Sequence, residues 1–180
     1  MLSDQMNFIH LSESALSKKR CEELIWFFES NINRAKPGKA GVNDLPNLEL
    51  IIAMNMTDAL TEPVQNFIKE YPLFDTSLAK WNLDPCIHIC KFEPGKSYEK
   101  IHCENDGSKE NQNRAFAWMI YLNDIKKGGE TEFIYQKFKT TPKAGNLYIW
   151  PSGPTHMHRG VVAPDEFKYF LTGWFNFQNN

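Results

Sequence analysis

Two helix-period segments within the first 80 residues, followed from Pro85 by short alternating segments that Gly and Pro turns separate, predict an α+β fold. The architecture they suggest is a β-sandwich or jelly roll with flanking N-terminal helices. The chain has 180 residues, 42% of them hydrophobic, with 13 Phe, 5 Trp and 6 Tyr, which is ample for one packed core. Nothing in it reads as a linker between two units, so a single domain is expected over residues 1–180. Within it, a helical buttress is expected over about 1–80 and the jelly-roll core over about 85–177.

The first helix is expected from Ser17, a suitable N-cap, to about Asn31, because Cys21, Leu24, Ile25 and Phe28 recur at i, i+3, i+4 and i+7. Lys36-Pro37-Gly38-Lys39 stops it, and the chain on to Asn47 reads as irregular loop. The apolar run from Leu48 to Met56 fits a buried strand, although periodicity does not distinguish it from a helix. A second helix is expected from Thr61, with Pro63 in its first turn and Val64, Phe67, Ile68 and Tyr71 as its stripe. Strands follow at Cys86–Phe92, Ala115–Asn123, Glu132–Phe138, Asn146–Trp150, His156–Val162 and Lys168–Phe177. Gly128 and Gly129, after Lys126-Lys127, form a turn that needs positive φ.

A net charge of −2 supplies no electrostatic footprint for a polyanion, so no nucleic-acid partner is indicated. No stretch reaches the length of a membrane span, and the N-terminus lacks a basic segment followed by an apolar run. The four cysteines (Cys21, Cys86, Cys90, Cys103) form no CxxC pair and read as reduced thiols, so a cytoplasmic location is expected. Nothing in the sequence bears on oligomeric state.

The chemistry concentrates between Tyr98 and Trp174. In an extended segment residues i and i+2 share a face, so His102 and Glu104 can reach one metal ion while Cys103 points away. A distal histidine, His156 or His158 in Thr155-His156-Met157-His158, would complete a two-nitrogen, one-carboxylate facial site with open positions. Asp106 is the rival carboxylate, but Asn105-Asp106-Gly107 reads as a turn. In the last strand Lys168, Phe170, Thr172 and Trp174 share a face; a lysine on a buried face needs an anionic partner. Cys86, His88 and Cys90 could be soft zinc ligands, yet i, i+2, i+4 positions on a flat strand diverge too far for a tetrahedral site.

The His102-x-Glu104 pair, the Arg114–Asn123 strand, Gly128-Gly129-Glu130-Thr131-Glu132-Phe133, Pro142-x-x-Gly145-Asn146-Leu147, His158, Lys168 and Trp174 follow one another in a known order. In this the sequence resembles the Fe(II)- and 2-oxoglutarate-dependent dioxygenases, specifically the prolyl 4-hydroxylase-like branch, over Phe92 to Phe175. The resemblance implies a double-stranded β-helix with Fe(II) on His102, Glu104 and His158. It implies His158 rather than His156 because the family's basic residue follows its distal His by about ten positions, and Lys168 is ten beyond His158. Lys168 would then bind the far carboxylate of 2-oxoglutarate, Tyr121 would hydrogen-bond that carboxylate, and Thr172 is a lesser candidate. Arg114 and Trp174 fall where the family meets substrate, with Tyr98 and His156 as further substrate-side residues.

Two departures stand out. The family's commoner acid is Asp, and here it is Glu104; Phe92 stands where relatives often carry the Tyr of Tyr-x-x-Gly, and Tyr98 is the nearby hydroxyl that could compensate. The activity implied is hydroxylation of an unactivated C–H with O2, giving succinate and CO2, with ascorbate as a candidate accessory reductant. The substrate expected is a peptidyl proline or another protein side chain. The alternatives are a free amino acid or small metabolite, or a catalytically vestigial jelly-roll binding module.

Overall fold

The computed structural model describes residues 6–40 and 43–178. After strand β1 (His10–Ser12), helix α1 (Lys18–Ser30) begins where Ser17 accepts the Arg20 N–H at 3.2 Å, and it buries Cys21, Leu24 and Phe28. The stretch expected as loop after it instead forms an antiparallel pair, β2 (Lys36–Ala40) with β3 (Asn43–Ala53). Pro37 and Gly38 are tolerated there because β2 is the sheet's last strand, where a missing donor costs nothing. Gly38 also leaves room for the Asn47 amide, since a Cβ there would lie 2.4 Å from its Oδ1 and the amide would have to shift.

Helix α2 (Thr57–Glu70) starts earlier than the expected Thr61. Asn55 Oδ1 accepts the Thr57 N–H at 2.8 Å and the Met56 carbonyl accepts from Ala59 and Leu60, so the first turn closes upstream. Pro63 therefore lies inside the helix, a position that costs about 3 kcal/mol in an exposed helix. Here its ring is buried in the stripe Ala59, Leu60, Pro63 and Phe67, which offsets that loss by packing. The short helix α3 (Leu73–Thr76) adds Phe74 to an aromatic cluster with Phe67, Tyr71 and Phe116.

The remaining elements are strands β4 (Trp81–Leu83), β5 (Cys86–Phe92), β6 (Arg114–Tyr121), β7 (Thr131–Phe133), β8 (Phe138–Lys139), β9 (Leu147–Pro151), β10 (His158–Gly160) and β11 (Lys168–Phe177). Two expected strands are shorter. Glu132–Phe138 is interrupted because the chain turns through Lys137 at φ +51 and returns as β8; His156–Val162 is reduced because residues Pro154–His156 form a 3-10 turn. The larger sheet has the order β1-β9-β6-β11-β5-β3-β2, with β4 also on β11, and β10-β7-β8 forms the smaller one, the two sheets of a jelly roll. The first 80 residues thus contribute three strands to the larger sheet besides the helical buttress.

Alternation decides what each face meets. Phe116, Trp118 and Ile120 of β6, Ile87 and Ile89 of β5, and Leu171 and Phe175 of β11 pack under the helices in one cluster. Ala117, Met119 and Tyr121, with Phe170 and Trp174, face the smaller sheet and its Phe133. Ala115 joins the helix side, next to the register shift at Phe175/Asn176. The space between the sheets is therefore lined by the second set of residues, and the site lies there.

Gly128 has φ +73, and a Cβ there would sit 1.9 Å from the Val162 carbonyl oxygen. Gly128→Ala combines backbone strain with a clash against immobile backbone, about 2–5 kcal/mol together. Gly107, at φ +80 with open space around it, incurs strain alone, about 1–2 kcal/mol. Thermal unfolding is expected to show a Tm loss of roughly 5–15 °C for Gly128→Ala and clearly less for Gly107→Ala; equal losses would contradict this account.

Candidate metal centre

His102 and His158 meet through a backbone bridge in which each N–H donates to the other's carbonyl, at 3.0 and 2.8 Å. This pairing joins the loop after β5 to strand β10 and sets both imidazoles side by side, ring centroids 4.4 Å apart. The Nδ1 of His102 lies 2.9 Å from the Lys100 carbonyl, and that of His158 lies 2.8 Å from the His156 carbonyl. A carbonyl only accepts, so each Nδ1 carries a proton and Nε2 is the ring atom left to meet Glu104 or a metal ion.

Those two Nε2 atoms lie 3.5 and 3.4 Å from Glu104 Oε1, and among the described residues this trio is a group whose ligand atoms converge within 4.8 Å. Two bonds of about 2.1 Å meeting at 90–110° would place ligand atoms roughly 3.0–3.4 Å apart. The donor set therefore fits a single divalent ion, and two nitrogens with one carboxylate is the facial pattern of open iron sites. Burial acts to raise the Glu104 pKa, but the facing imidazoles of His102 and His158 outweigh it and hold the carboxyl well below its ordinary range. It is a ready-made anion for a cation to join.

Glu104 reaches this point because the chain turns immediately after it. The Asn105 N–H donates to the Ser152 carbonyl at 2.8 Å, the Asn105 amide donates to the Gln112 and Arg114 carbonyls, and Gly107 sits at φ +80. Asp106 caps that turn, its Oδ1 accepting the Ser108 N–H and the Asn111 amide; the Ser108 side chain and then its backbone, with Asn111, lower its pKa to about 2. It faces the turn and not the ligand trio.

The trio opens into a cavity of about 1240 Å³ between the sheets. At one end of it Lys168 is only 4% exposed, with Phe92 opposite it across β5 and β11. Its ammonium stands 5.2 Å from the Tyr121 ring centre and 5.1 Å from that of Phe170, and no carboxylate pairs with it among the described residues. Burial pushes its pKa down to about 8, against the attraction of Cys90 and Glu130. An anionic ligand would restore the charge balance.

The structure places the other residues singled out in the sequence as follows. Tyr121 does not offer its hydroxyl to the cavity: it lies 2.6 Å from Thr140 Oγ1 and donates to the Gly129 carbonyl at 3.2 Å, so only its ring approaches Lys168. His156 is not in the strand with His158. In the 3-10 turn its Nδ1 meets Thr155 Oγ1 and its Nε2 the Asn7 carbonyl, both at 3.0 Å, so it ties the N-terminal segment to the fold. Thr172 lines the cavity while donating its hydroxyl to the Trp118 carbonyl at 2.9 Å. Tyr98 also lines it, its ring 4.4 Å from that of His102. Arg114 and Trp174 both reach Glu104, the first at 3.3 Å and the second at 2.8 Å. Cys86 is exposed and Cys90 buried, and they form no metal-binding group with His88 among the described residues.

Sequence reasoning missed other residues at the site. Phe133 and Trp150, the latter lining the cavity, flank His158 with centroids 5.2 and 5.4 Å away, and alternation along β7 and β9 was the available signal. Glu49 on β3 pairs with His88 on β5 inside the cavity, and no local signal could have found that contact.

A family model described as the 2OG-Fe(II) oxygenase superfamily matches residues 87–176. Among solved structures, the chain is similar to the viral collagen prolyl hydroxylase of Paramecium Bursaria Chlorella virus-1 in its 2OG complex, with 18% identity, TM-score 0.72, and coverage of 96% of this chain and 98% of that one. It is also similar to a Pseudomonas putida prolyl-4-hydroxylase, with 16% identity, TM-score 0.69, and coverage of 97% and 95%. A third is a Trichoplax adhaerens prolyl hydroxylase in complex with a hypoxia inducible factor oxygen degradation domain peptide, with 16% identity, TM-score 0.72, and coverage of 95% and 84%. No curated protein sequence matched. With the family match spanning the metal trio and Lys168, the chain belongs to the 2OG-Fe(II) oxygenase superfamily as a 2-oxoglutarate-dependent dioxygenase of the prolyl 4-hydroxylase-like fold.

Proposed function

We propose that this dioxygenase hydroxylates a peptidyl proline or another protein side chain, consuming 2-oxoglutarate and O2 and releasing succinate and CO2. The observation that carries the reading is one cavity holding both a convergent His102–Glu104–His158 trio and the buried, unpaired Lys168 ammonium. In this reading the trio holds Fe(II), which with bound 2-oxoglutarate supplies the oxidising chemistry.

The residues of the chain do the rest. Lys168 binds and orients the far carboxylate of 2-oxoglutarate, and Phe92 and Phe170, stacked at 5.9 Å, keep water from that end. The backbone carbonyls of Lys100 and His156 hold a proton on Nδ1 of each ligand histidine, so that Nε2 stays free for the metal. Peptide substrates are favoured over free metabolites by the cavity, which exceeds the roughly 300–1,000 Å³ usual for small-molecule sites. Half-exposed Ile51 and Ile101 add an apolar rim. The complex of the Trichoplax enzyme with a peptide also supports this reading.

The test is incubation with Fe(II), ascorbate, 2-oxoglutarate and a panel of peptides with and without proline. Succinate release matched by a mass gain of one oxygen on proline-containing peptides is the expected result, abolished in His158→Ala. Oxygen incorporated into free amino acids but into no peptide would sink the substrate assignment.

A second expectation concerns pH. With its pKa near 8, Lys168 loses its proton in the empty protein as pH rises through that value, while 2-oxoglutarate stays fully ionised. The bound carboxylate raises the pKa, so the apparent Kd for 2-oxoglutarate should be flat below about pH 7 and climb up to tenfold per pH unit above about 8. Lys168→Met is expected to weaken binding on the order of 100-fold. Lys168→Arg, which does not deprotonate in this range, should abolish the alkaline rise in calorimetric titration.

A further inference from the structure

The two oxygens of Glu104 live in different surroundings. Oε1 faces the Nε2 atoms of both histidines, whereas Oε2 accepts the Trp174 indole N–H at 2.8 Å and lies 3.3 Å from Arg114 Nη1. The same Nη1 donates to the Glu104 backbone carbonyl at 3.1 Å, so one guanidinium grips both the main chain and the side chain of this residue. The guanidinium carbon in turn sits 3.7 Å from the centre of the Trp174 ring. A further edge of that indole meets the His88 ring at 4.8 Å and 87°, and His88 is bonded to Glu49.

These contacts fix a side chain that would otherwise be loose. Glu has one more rotatable bond than Asp, and a carboxylate with both oxygens free can chelate a metal or bind through either one. With Oε2 committed to two donors, only Oε1 is left to point at the histidine pair. The arms of the clamp come from β6 and β11, neighbouring strands whose pairing sets Asn176 opposite Arg114 and Trp174 opposite Ala117. Rigid strands therefore position it, and side-chain stacking holds it.

Building on the Fe(II) site of the proposed function, we propose that Trp174 and Arg114 are positioning residues of the metal centre, which restrict Glu104 to coordination through Oε1 alone. The clamp keeps the second oxygen off the ion, so the remaining positions stay available to small ligands. It also accounts for glutamate at this position: an aspartate, shorter by one C–C bond of about 1.5 Å, could not touch the histidine pair and the indole N–H together.

The test is the Kd for Mn(II), a stand-in for Fe(II) that does not oxidise in air, measured by electron paramagnetic resonance on full-length protein without cosubstrate or substrate. The variants are Trp174→Phe, which keeps a ring but removes the N–H, Arg114→Gln, Glu104→Asp and the double variant Glu104→Asp/Trp174→Phe, each checked for an unchanged melting profile. Each single change is expected to weaken Mn(II) binding by roughly 10–100-fold, and the double variant by little more than the weaker of its parents, because both break the same link. A variant that does not fold is replaced by Arg114→Lys, which retains charge but loses the planar guanidinium stacked 3.7 Å from the Trp174 ring centre and should fall in the same range. Unchanged Mn(II) affinity in Trp174→Phe and Arg114→Gln, with only peptide KM raised, would overturn the proposal and leave the metal site standing. If the unsubstituted protein binds Mn(II) no better than His158→Ala, the metal site itself fails and the clamp with it.

Discussion

The period-two alternation of β11 is the constraint on which the rest depends. This strand runs between β5 and β6, so both of its edges are bonded and neither face can slip. Leu171 and Phe175 must meet the helices, which leaves Lys168, Phe170, Thr172 and Trp174 for the cavity. Gly173 shows how tight the helix side is: a Cβ there would lie 2.6 Å from the Trp118 ring. A one-residue slip would bury Tyr169 in the cavity and send the Lys168 ammonium under the helices. The hydrophobic pattern that folds the strand is thus what places its cation.

Charge in the cavity is divided between two ends. At the Lys168 end a buried ammonium has aromatic neighbours and no carboxylate within ion-pair distance among the described residues. At the other end a carboxylate faces two imidazoles whose Nε2 atoms point inward. A buried charge without a partner is costly, so an anion would stabilise the Lys168 end, while at the Glu104 end, already met by Arg114, a cation would join the two imidazoles. A metal ion would meet the second demand, and a molecule that binds that ion at one end and carries a distant carboxylate at the other would meet the first, as in the proposed reading.

What the sequence made legible was local. The Ser17 cap, the α1 stripe, the faces of β5 and β11, and the turn after Glu104 all rest on neighbours within a few residues, and each appears in the structure. Features fixed by distant pairing were not legible. The Lys36–Ala40 strand exists because β3 is there to pair with it, and Pro63 is accepted inside α2 because the helix has a core to pack against. His156 turned away because the Asn7 carbonyl, far off in sequence, offers a partner. The Tyr121 hydroxyl likewise went to Thr140, which a hairpin between β7 and β8 brings back beside it.

Two of these departures bear together on the cosubstrate end. Phe92 carries no hydroxyl, and the Tyr121 hydroxyl is committed to Thr140 and Gly129, so neither ring offers a donor beside Lys168. A carboxylate bound there, as in the proposed reading, would rely on the ammonium where two hydroxyls could have shared the load. The same two aromatic surfaces that withhold donors also exclude water, and exclusion of water is the largest cause of the depressed Lys168 pKa. Loss of polar help and concentration of charge dependence are therefore one structural fact. Restoring a hydroxyl at position 92 would hydrate or bridge the ammonium, move its pKa back toward that of an ordinary lysine and relax the dependence of cosubstrate binding on a single proton.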